Sequence, residues 1–426
     1  MATKKKKTAK KKIVAKPAQK KAAKKKAAPK AAKKKTVKKA APKAAAQSTP
    51  ASGSASSKND RFVIIMAGGS GERFWPVSRK ATPKQLIKIL GDKSFLQEAV
   101  ERCLPVVPLK NIFIITNKVQ APEVAKQLPK LPKGNVVAEP IGRDTCAAVT
   151  LGAALVGARS TTGTMAVLPA DHVIPDEKRF QRVLEHSFDL AARGQAIVTI
   201  GIKPNEPATG YGYIKVGDKL PKAKKAKPVS TKFFKVDQFK EKPNLETALE
   251  YVNSGQYRWN AGMFIWNFVT VTEALQKHQP EMYEACQRWF KAAAKGKLDG
   301  VLKREYPKIK KISIDFALME KAQNVVVADG AFKWDDLGAW NALARHVKQD
   351  REGNAAIADF IHVDAARNII FDGRTKGKTP VAVVGLRDSI LVLTDDAVML
   401  AHKNQSQKIK QMVAKLADHP RFKKLV

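Results

Sequence analysis

Residues 64–85 read IIMAGGSGERFWPVSRKATPKQ, an apolar strand-like run that leads directly into a glycine-rich loop. Three glycines stand within four residues of this loop, and basic residues follow them. A Walker loop would end in Gly-Lys-Ser/Thr, and the dinucleotide-binding pattern would need a third glycine where Phe74 stands. The loop therefore matches neither of these common phosphate-binding patterns, and its ligand has to be inferred from its chemistry.

Glycines remove the side chains that would keep an anion away from backbone N–H groups. The loop residues that we assign to nucleotide binding are Ala67, Gly68, Gly69 and Gly71. Arg73 and Lys84 add fixed positive charge beside them. This combination suits a nucleoside triphosphate whose α-phosphorus is attacked. The alternative is a structural turn with incidental basic residues.

Short apolar segments alternate with stretches of helical spacing between residues 59 and 348. The apolar segments predict strands at 62–66, 111–116, 136–138, 165–168 and 196–200. The stretches between them predict helices at 94–103, 119–128, 145–158 and 176–192. We therefore predict an α/β domain with a mostly parallel sheet that helices cover on both faces. Such sheets bind ligands beyond the carboxyl ends of their strands, where the glycine-rich loop follows the first strand.

Residues 349–426 have a different pattern. The runs IHVD, NIIFDG, VAVVGL, SILVLT and AVMLAH are short and strand-like, with little helix between them. They predict a small all-β unit, either a β-helix or a meander. A final helix is predicted near residues 405–416.

Residues 1–58 differ from the rest of the chain in composition. They contain 21 lysines, no arginine and no acidic residue, so the remaining residues account for +20 of the net charge of +41. Repulsion between lysines, helix-breaking prolines and a scarcity of large apolar side chains predict a disordered tail. Its composition resembles the tails of linker histones. Two roles stay open for it: non-specific binding of nucleic acid or another polyanion, and solubilisation.

Three cysteines, Cys103, Cys146 and Cys286, lie far apart and form no CxxC or Cys/His pattern with metal-ligand spacing. The chain has no apolar stretch of membrane-spanning length, and its first residues lack the apolar run of a secretory signal. We therefore expect a cytoplasmic protein without a membrane span. The sequence leaves open whether the chain forms a homo-oligomer.

The glycine-rich loop resembles the signature of the sugar-nucleotide pyrophosphorylases. AGGSGERFWPVSR followed by PKQ is similar to that signature, and FWPVSR resembles its mannose-1-phosphate guanylyltransferase branch. Similar blocks follow in order: EPIGRDTCAA (139–148), LPADHVI (168–174), TGYGYI (209–214), FKEKPN (239–244), WNAGMFIW (259–266), SIDFALMEKA (313–322) and WDDLGAW (334–340). The resemblance implies a Rossmann-like nucleotidyltransferase domain and then a short left-handed β-helix. Asp144 and Cys146 depart from it, since many relatives have Asn and Ala there.

This resemblance implies that GTP reacts with mannose 1-phosphate to give GDP-mannose and pyrophosphate. The attacking phosphate oxygen is already anionic, so the site has to position the substrates and neutralise charge rather than supply a Ser, Cys or His nucleophile. Arg73 and Lys84 would provide that charge. Asp171 and Asp336 resemble the family's two Mg²⁺ ligands, which suits an ion that binds a few carboxylates plus phosphate oxygens. Either aspartate alone would more often be a helix cap or a turn residue.

The resemblance also implies which residues contact the sugar and which contact the base. Lys242 would meet the sugar phosphate as a further catalytic residue, although a surface ion pair with Glu241 is the alternative. Residues similar to sugar-binding positions are Gly212, Glu241 and Asn260. Glu139 and Arg143 belong to the block that resembles the base-contacting loop. A carboxylate such as Glu139 can accept hydrogen bonds from guanine N1–H and N2–H₂.

Some members of this family carry a further phosphomannose isomerase domain of the cupin type. The sequence has no room for it after the β-unit, so we predict no isomerase activity. Two alternative functions remain. One is a pyrophosphorylase for another nucleotide or hexose 1-phosphate, and the other is a nucleic-acid-associated protein that acts through its basic tail.

Overall fold

The structure is a computed structural model that describes residues 57–221 and 231–426. The predicted disordered tail lies outside the described residues, apart from its last two. Where the structure describes the chain, no helix has the combined length and apolarity that crossing a membrane requires. Cys103, Cys146 and Cys286 are buried and free of disulfides.

Within the described residues, a nine-stranded sheet forms the centre of the first domain. Its strands are β1 (Arg61–Met66), β2 (Ile112–Asn117), β3 (Val136–Glu139), β4 (Thr164–Pro169), β5 (Ile197–Ile202), β6 (Gly212–Lys219), β7 (Phe233–Glu241), β8 (Tyr257–Asn267) and β9 (Val325–Asp329). Their order across the sheet is β3-β2-β1-β4-β8-β5-β9-β7-β6. The predicted strands up to β5 are confirmed to within a few residues at each end.

The prediction of a mostly parallel sheet needs a correction, because the sheet is mixed. β1 pairs in parallel with β2 and β4, β2 with β3, and β5 with β9. In contrast, β8 runs antiparallel to β4, β5 and β6, and β7 runs antiparallel to β6 and β9. The alternation of strands and helices that predicts parallel pairing stops after β5. Consecutive strands β6 and β7 then pair directly, without the helical crossover that parallel strands need.

Helices cover both faces of this sheet, as predicted. They are α1 (Phe95–Cys103), α2 (Ala121–Gln127), α3 (Asp144–Gly157), α4 (Glu177–Arg193), α5 (Leu245–Ser254), α6 (Phe268–His278), α7 (Pro280–Ala294) and α8 (Leu298–Glu305). Val63 and Ile65 of β1 pack in one core with α1 and α4, whereas Phe62 and Ile64 pack in another with α3, α6 and α7. This alternation follows from the two-residue period of a strand.

The predicted start of α1 at Ser94 is confirmed. The Ser94 side chain accepts a hydrogen bond from the Gln97 N–H and the Gln97 side chain accepts from the Ser94 N–H, which completes a capping box. The helical spacing also predicts Phe95, Val100 and Leu104 as core residues, and only Leu104 is not buried. Leu104 is 42% exposed, because it follows the last turn of the helix.

The C-terminal unit is a β-helix rather than a meander. Its elements are β10 (Ala355–Ile357), β11 (Phe360–Val363), β12 (Ile369–Asp372), β13 (Val381–Val384), β14 (Ser389–Leu393), β15 (Val398–His402) and α9 (Ile409–Asp418). β10, β12 and β14 stack in parallel, and β11 stacks in parallel on β13. Parallel stacking of every second strand describes successive coils of one helix, and the antiparallel β15 ends it.

The β-helix packs against the glycine-rich loop. Phe74 and Trp75 from the loop share a core with Trp340, with Ile390 of β14 and with Ile409 of α9. The Trp340 indole donates a hydrogen bond to the Trp75 carbonyl at 3.0 Å. The loop is therefore supported from two sides, by the central sheet and by the C-terminal unit.

Candidate active site

The glycine-rich loop is fixed by close contacts with the segment that follows it. Gly71 has a φ of +59°, and a Cβ there would lie 2.4 Å from the Lys84 backbone nitrogen, so a side chain does not fit. The Gln85 amide donates to the carbonyl oxygens of Ala67 at 2.9 Å and of Gly69 at 3.0 Å. These bonds hold the carbonyl groups of the loop toward the protein.

The N–H groups of the loop remain available to an anion. Across residues 57–221 and 231–426, no acceptor binds the backbone N–H of Gly68, Gly69 or Ser70. A Cβ at Gly68 would lie 3.2 Å from a Glu139 carboxylate oxygen, so glycine lets the loop and that side chain approach each other closely. This geometry fits the nucleotide-binding role predicted for the loop.

Two cavities open beside this loop. The first has a volume of about 420 Å³ and is lined by residues that include Gly68, Gly69, Glu139, Asp144, Asp171 and Asp315. The second has a volume of about 350 Å³ and is lined by residues that include Gly71, Arg73, Lys84, Asp171, Asp336 and Lys410. Asp171 belongs to both, so it lies where the two cavities meet.

Lys84 is a buried lysine, 4% exposed, beside the two predicted metal ligands. Its ammonium group lies 3.0 Å from Asp171 Oδ2 and also donates to the main-chain carbonyl of Asp336. The rings of Phe74 and Phe95 lie 5.8 and 5.6 Å from the same nitrogen. A buried charge is costly unless it is paired, and Lys84 is paired in a way that links the segments of both aspartates.

The two adjacent acids of the WDDLGAW block have different surroundings. Asp335 is buried, accepts hydrogen bonds from Arg345 Nε at 2.6 Å and Nη2 at 2.8 Å, and lies 2.8 Å from His346 Nε2. These partners hold the pKa of Asp335 well below its usual range although burial opposes this. Asp336 instead faces the second cavity, where the Tyr211 hydroxyl donates to its Oδ1 at 2.6 Å. Asp335 therefore fixes the segment that presents Asp336.

Asp171 and Asp336 fit the predicted Mg²⁺ site. Both carboxylates line the second cavity and are partly exposed to it. A Cβ at Gly338 would lie 3.2 Å from Asp336 Oδ2, so glycine keeps that oxygen accessible. Mg²⁺ commonly binds one or two carboxylates and completes its shell with phosphate oxygens and water. The chemistry of this donor pair therefore suits the ion.

The structure separates the two residues predicted to contact the base. Glu139 is buried in the first cavity, where the Tyr306 hydroxyl donates to it, and burial raises its pKa to about 7. Arg143 does not line that cavity and instead donates to the Pro307 carbonyl. The next residue, Asp144, has a φ of +68°, a conformation that Asn and Asp tolerate best, and it does line the cavity.

The residues predicted for the sugar form one group next to the first cavity. Gly212 pairs with Glu241 across β6 and β7, and a Cβ at Gly212 would lie 2.4 Å from Glu241 Oε2. Lys242 has a φ of +46° and its ammonium lies 2.7 Å from Glu241 Oε1. Asn260 on β8 donates to Asp315 at 2.9 Å, and Asp315 lines the first cavity. Asp315 thus connects this group to that cavity.

The sequence did not identify every residue that lines or supports these cavities. Those that it missed are His172, Tyr211, Tyr306, Asp315 and Lys410. Burial raises the pKa of Asp315 to about 6, and the carboxylate of Glu241 acts in the same direction. Its position in the SIDFALMEKA block was a usable signal for Asp315. No sequence signal pointed to Lys410, which comes from the C-terminal helix α9.

Comparisons with known proteins identify the family of this chain. Residues 62–353 match the nucleotidyl transferase family, and residues 358–416 match the MannoseP isomerase/GMP-like β-helix domain. The chain is 36% identical over 364 residues to the xanthan biosynthesis protein XanB of Xanthomonas campestris pv. campestris, covering 84% of this chain and 73% of that protein. It is also 36% identical over 361 residues to the mannose-1-phosphate guanylyltransferase of Escherichia coli (strain K12), covering 83% and 73%.

A solved structure is similar along almost its whole length. The crystal structure described as mannose-1-phosphate geranyltransferase from Thermus thermophilus matches with a TM-score of 0.72 and 31% identity, over 84% of this chain and 99% of that one. The predicted α/β nucleotidyltransferase domain followed by a β-helix unit and the resemblance at the glycine-rich loop are therefore confirmed. With a family match over more than half of its residues and relatives above 30% identity, the chain belongs to the nucleotidyl transferase family, in the mannose-1-phosphate guanylyltransferase branch.

Proposed function

We propose that this protein transfers GMP from GTP to mannose 1-phosphate and releases pyrophosphate, giving GDP-mannose. The observation that carries the proposal is the meeting of two cavities at Asp171 beside the glycine-rich loop. One cavity combines apolar walls with Glu139, as a nucleoside requires. The other combines Arg73 and Lys84 with two carboxylates, as a metal-bound triphosphate requires.

In this arrangement the nucleoside occupies the first cavity and the β- and γ-phosphates occupy the second. The α-phosphorus then lies near Asp171, where the cavities join. The sugar phosphate approaches from the group formed by Glu241, Lys242 and Asn260, and its anionic oxygen attacks the α-phosphorus in line with the leaving pyrophosphate. Arg73 and Lys84 neutralise the charge that grows on the leaving group, so catalysis comes from positioning and electrostatics.

Asp171 and Asp336 would hold Mg²⁺ in this site. When bound, the ion offsets negative charge on the phosphate oxygens. Lys84 contacts both segments and sets their separation. Tyr211 orients the Asp336 carboxylate through its hydrogen bond at 2.6 Å.

Glu139 is our candidate for guanine selection. Its carboxylate lies in the first cavity against Gly68, and Tyr306 fixes one of its oxygens. Guanine offers N1–H and N2–H₂ as adjacent donors, whereas adenine has no equivalent pair. We keep Arg143 as a residue that supports this segment through Pro307 rather than as a base contact.

We further propose a cytoplasmic location, in keeping with three free and buried thiols. The product would serve polysaccharide synthesis, as the names of the xanthan and alginate relatives suggest for those proteins. We place the domain boundaries near residues 58 and 348. The basic tail would bind polyanions independently of catalysis.

A pyrophosphate-release screen tests the proposal. Each of GTP, ATP, UTP and dTTP is combined with mannose 1-phosphate and with glucose 1-phosphate, in the presence of Mg²⁺ and of other divalent ions. We expect the highest kcat/KM for GTP with mannose 1-phosphate. Preference for another pair would favour the alternative of a different pyrophosphorylase. Lack of release from every pair would contradict nucleotidyl transfer by this chain.

A further inference from the structure

The second cavity contains a side chain that does not come from the nucleotidyltransferase domain. Lys410 lies on α9, in the C-terminal unit, and lines this cavity together with Arg73, Lys84, Asp171 and Asp336. We propose that Lys410 binds the β- and γ-phosphates of the nucleotide and the pyrophosphate formed from them. The C-terminal unit would then complete the phosphate site. This inference rests on the proposed function of the cavity.

The position of Lys410 is set by the packing of the helix on the glycine-rich loop. Ile409, its neighbour, is 4% exposed and belongs to the core that contains Phe74 and Trp75 of the loop. Lys410 itself is exposed, so the buried residue anchors the helix while the next side chain faces the cavity. The backbone at Lys410 is therefore fixed beside the cavity, while its side chain can reach an anion there.

Two further contacts join the C-terminal unit to the same loop. The Trp75 indole donates to the Leu425 carbonyl at 2.7 Å, and Arg79 forms an ion pair with Asp396 at 2.8 Å. These contacts lie on either side of α9 in the sequence. Lys410 is therefore part of a packed interface with the loop rather than a side chain on a loosely attached helix.

The second cavity is lined by three cations, Arg73, Lys84 and Lys410, and by three carboxylates, Glu72, Asp171 and Asp336, so an anion near Lys410 depends on the cations that no carboxylate pairs. Lys84 is engaged by Asp171 at 3.0 Å, so part of its charge is already offset. In the described part of the chain, neither Lys410 nor Arg73 forms an ion pair with a carboxylate. Two unpaired cations at the outer part of a cavity that also holds Lys84 suit a ligand with several negative charges. A nucleoside triphosphate and inorganic pyrophosphate share that chemistry.

The variant Lys410→Met removes the charge and keeps most of the side-chain length. Lys415→Met is the matched control, because Lys415 is an exposed lysine on the same helix that does not line the cavity. Lys410→Arg keeps the charge. Unfolding temperatures of the three variants establish that the helix remains packed.

The measurement is the dissociation constant for inorganic tripolyphosphate by titration calorimetry, which does not depend on which nucleotide is the substrate. It is made with the full chain and, because the lysine-rich tail would itself bind this polyanion, with each variant in a protein that lacks residues 2–56, in which the comparison is decided. We expect roughly tenfold weaker binding in Lys410→Met, equal to about 1.4 kcal/mol, and wild-type affinity in Lys415→Met. Lys410→Arg should retain most of the affinity. Equal tripolyphosphate affinity in Lys410→Met and Lys415→Met, or no binding by the wild type, would overturn the proposal.

Kinetics separate this inference from the proposed function. Where the wild type forms GDP-mannose, Lys410→Met should raise the KM for GTP and leave the KM for mannose 1-phosphate unchanged. An unchanged KM for GTP would contradict the role of Lys410 while the proposed reaction stands. A different result would separate the two claims in the other direction. If the wild type forms no GDP-mannose, but tripolyphosphate binds more weakly to Lys410→Met than to the wild type and to Lys415→Met, the phosphate site stands and the proposed reaction is wrong.

Discussion

The Lys84 ammonium group lies 3.0 Å from Asp171 Oδ2, and Lys84 is 4% exposed. The same nitrogen donates to the main-chain carbonyl of Asp336. Lys84 follows the glycine-rich loop, Asp171 follows β4 and Asp336 follows β9. One cation thus joins three separate segments at the point where the triphosphate would bind, which gives it a structural and an electrostatic role.

Lys84→Met is expected to lower turnover by about 30- to 1000-fold, corresponding to roughly 2–4 kcal/mol of lost transition-state stabilisation. The loss should be largest in kcat because charge on the pyrophosphate grows as the bond breaks. Steady-state kinetics with each substrate varied in turn will measure this. Lys84→Arg should not restore full activity, since a planar guanidinium group does not replace a compact ammonium group.

Lys88→Met serves as the control, because Lys88 is exposed four residues further along. It should keep wild-type kinetics. If Lys84→Met changed only the KM for mannose 1-phosphate, with kcat and the KM for GTP intact, the assignment of the second cavity to the nucleotide phosphates would fail.

Asp335 and Asp336 should respond differently to the same substitution. Asp336→Asn should lower turnover on the order of a hundredfold or more, because it removes a negative ligand from the metal site, while stability changes little. Asp335→Asn should lower the free energy of unfolding by roughly 2 kcal/mol, since an amide cannot satisfy the Arg345 guanidinium as a carboxylate does. Urea denaturation and kinetics on both variants will separate the effects. A stable and fully active Asp336→Asn protein would show that the metal site is misplaced.

Glu139 should make stability depend on pH. Burial raises its pKa from the usual 4.5 to about 7, so the folded state holds this proton more tightly than the unfolded state. The stabilising contribution is therefore complete below about pH 4.5 and is lost as the pH rises through about 7. The pKa difference corresponds to roughly 3 kcal/mol.

Glu139→Gln removes this titration. We expect the free energy of unfolding of the wild type, relative to the variant, to fall between pH 5 and pH 8 at constant ionic strength. Asp315, whose pKa is raised to about 6, titrates in both proteins and cancels in the comparison. Parallel stability curves for the two proteins would mean that Glu139 ionises normally in the fold.

Lys242 should affect the sugar phosphate rather than the nucleotide. Its ammonium group lies 2.7 Å from Glu241 Oε1 and its side chain is 64% exposed. Lys242→Ala is expected to raise the KM for mannose 1-phosphate about fivefold, equal to roughly 1 kcal/mol for an exposed charged contact. Lys240→Ala, at an exposed position on β7 two residues before Lys242, is the control. A rise in the KM for GTP alone would place Lys242 at the nucleotide instead.

The sequence predicted the first half of the sheet well because the strand and helix periods there are distinct. Segments up to β5 are short apolar runs separated by amphipathic helices, and their predicted bounds are close to those observed. The strands β6, β7 and β8 are longer and partly polar, because several of their side chains are only half-buried or, in β6 and β7, exposed. Their antiparallel pairing depends on which strands are adjacent in space. The periodicity of apolar residues along one strand does not contain that information.

The same limit applies to the site. Asp171 and Asp336 could be identified from the sequence because each stands in a recognisable motif, and the structure shows that both line the second cavity. The contact between Tyr306 and Glu139 joins residues 167 positions apart, and Lys410 reaches the cavity only through packing of the C-terminal unit. Arg143 belongs to the segment that resembles the base-contacting loop, yet it does not line the first cavity and donates to the Pro307 carbonyl, a contact 164 positions away that the sequence does not encode.

The basic tail should be separable from catalysis. Deleting residues 2–56 removes the lysine-rich segment but keeps Ser57, which accepts a hydrogen bond from the Asn59 N–H, and Lys58, which donates to the Pro105 carbonyl at 2.7 Å. Turnover at saturating substrates should stay near the wild-type value, because the residues of both cavities lie beyond Asp60. Binding of a DNA duplex at low salt should fall steeply, since it depends on release of counterions by the lysines of the tail.

The control is the same titration at high salt, where wild-type and truncated proteins should bind equally weakly. Some residual DNA binding at low salt is expected from the net charge of +20 that lies beyond residue 58. A smaller slope of log affinity against log salt in the truncated protein would therefore identify the contribution of the tail. An equal slope in both proteins, or a truncated enzyme that loses turnover at saturating substrates, would contradict an independent polyanion-binding tail.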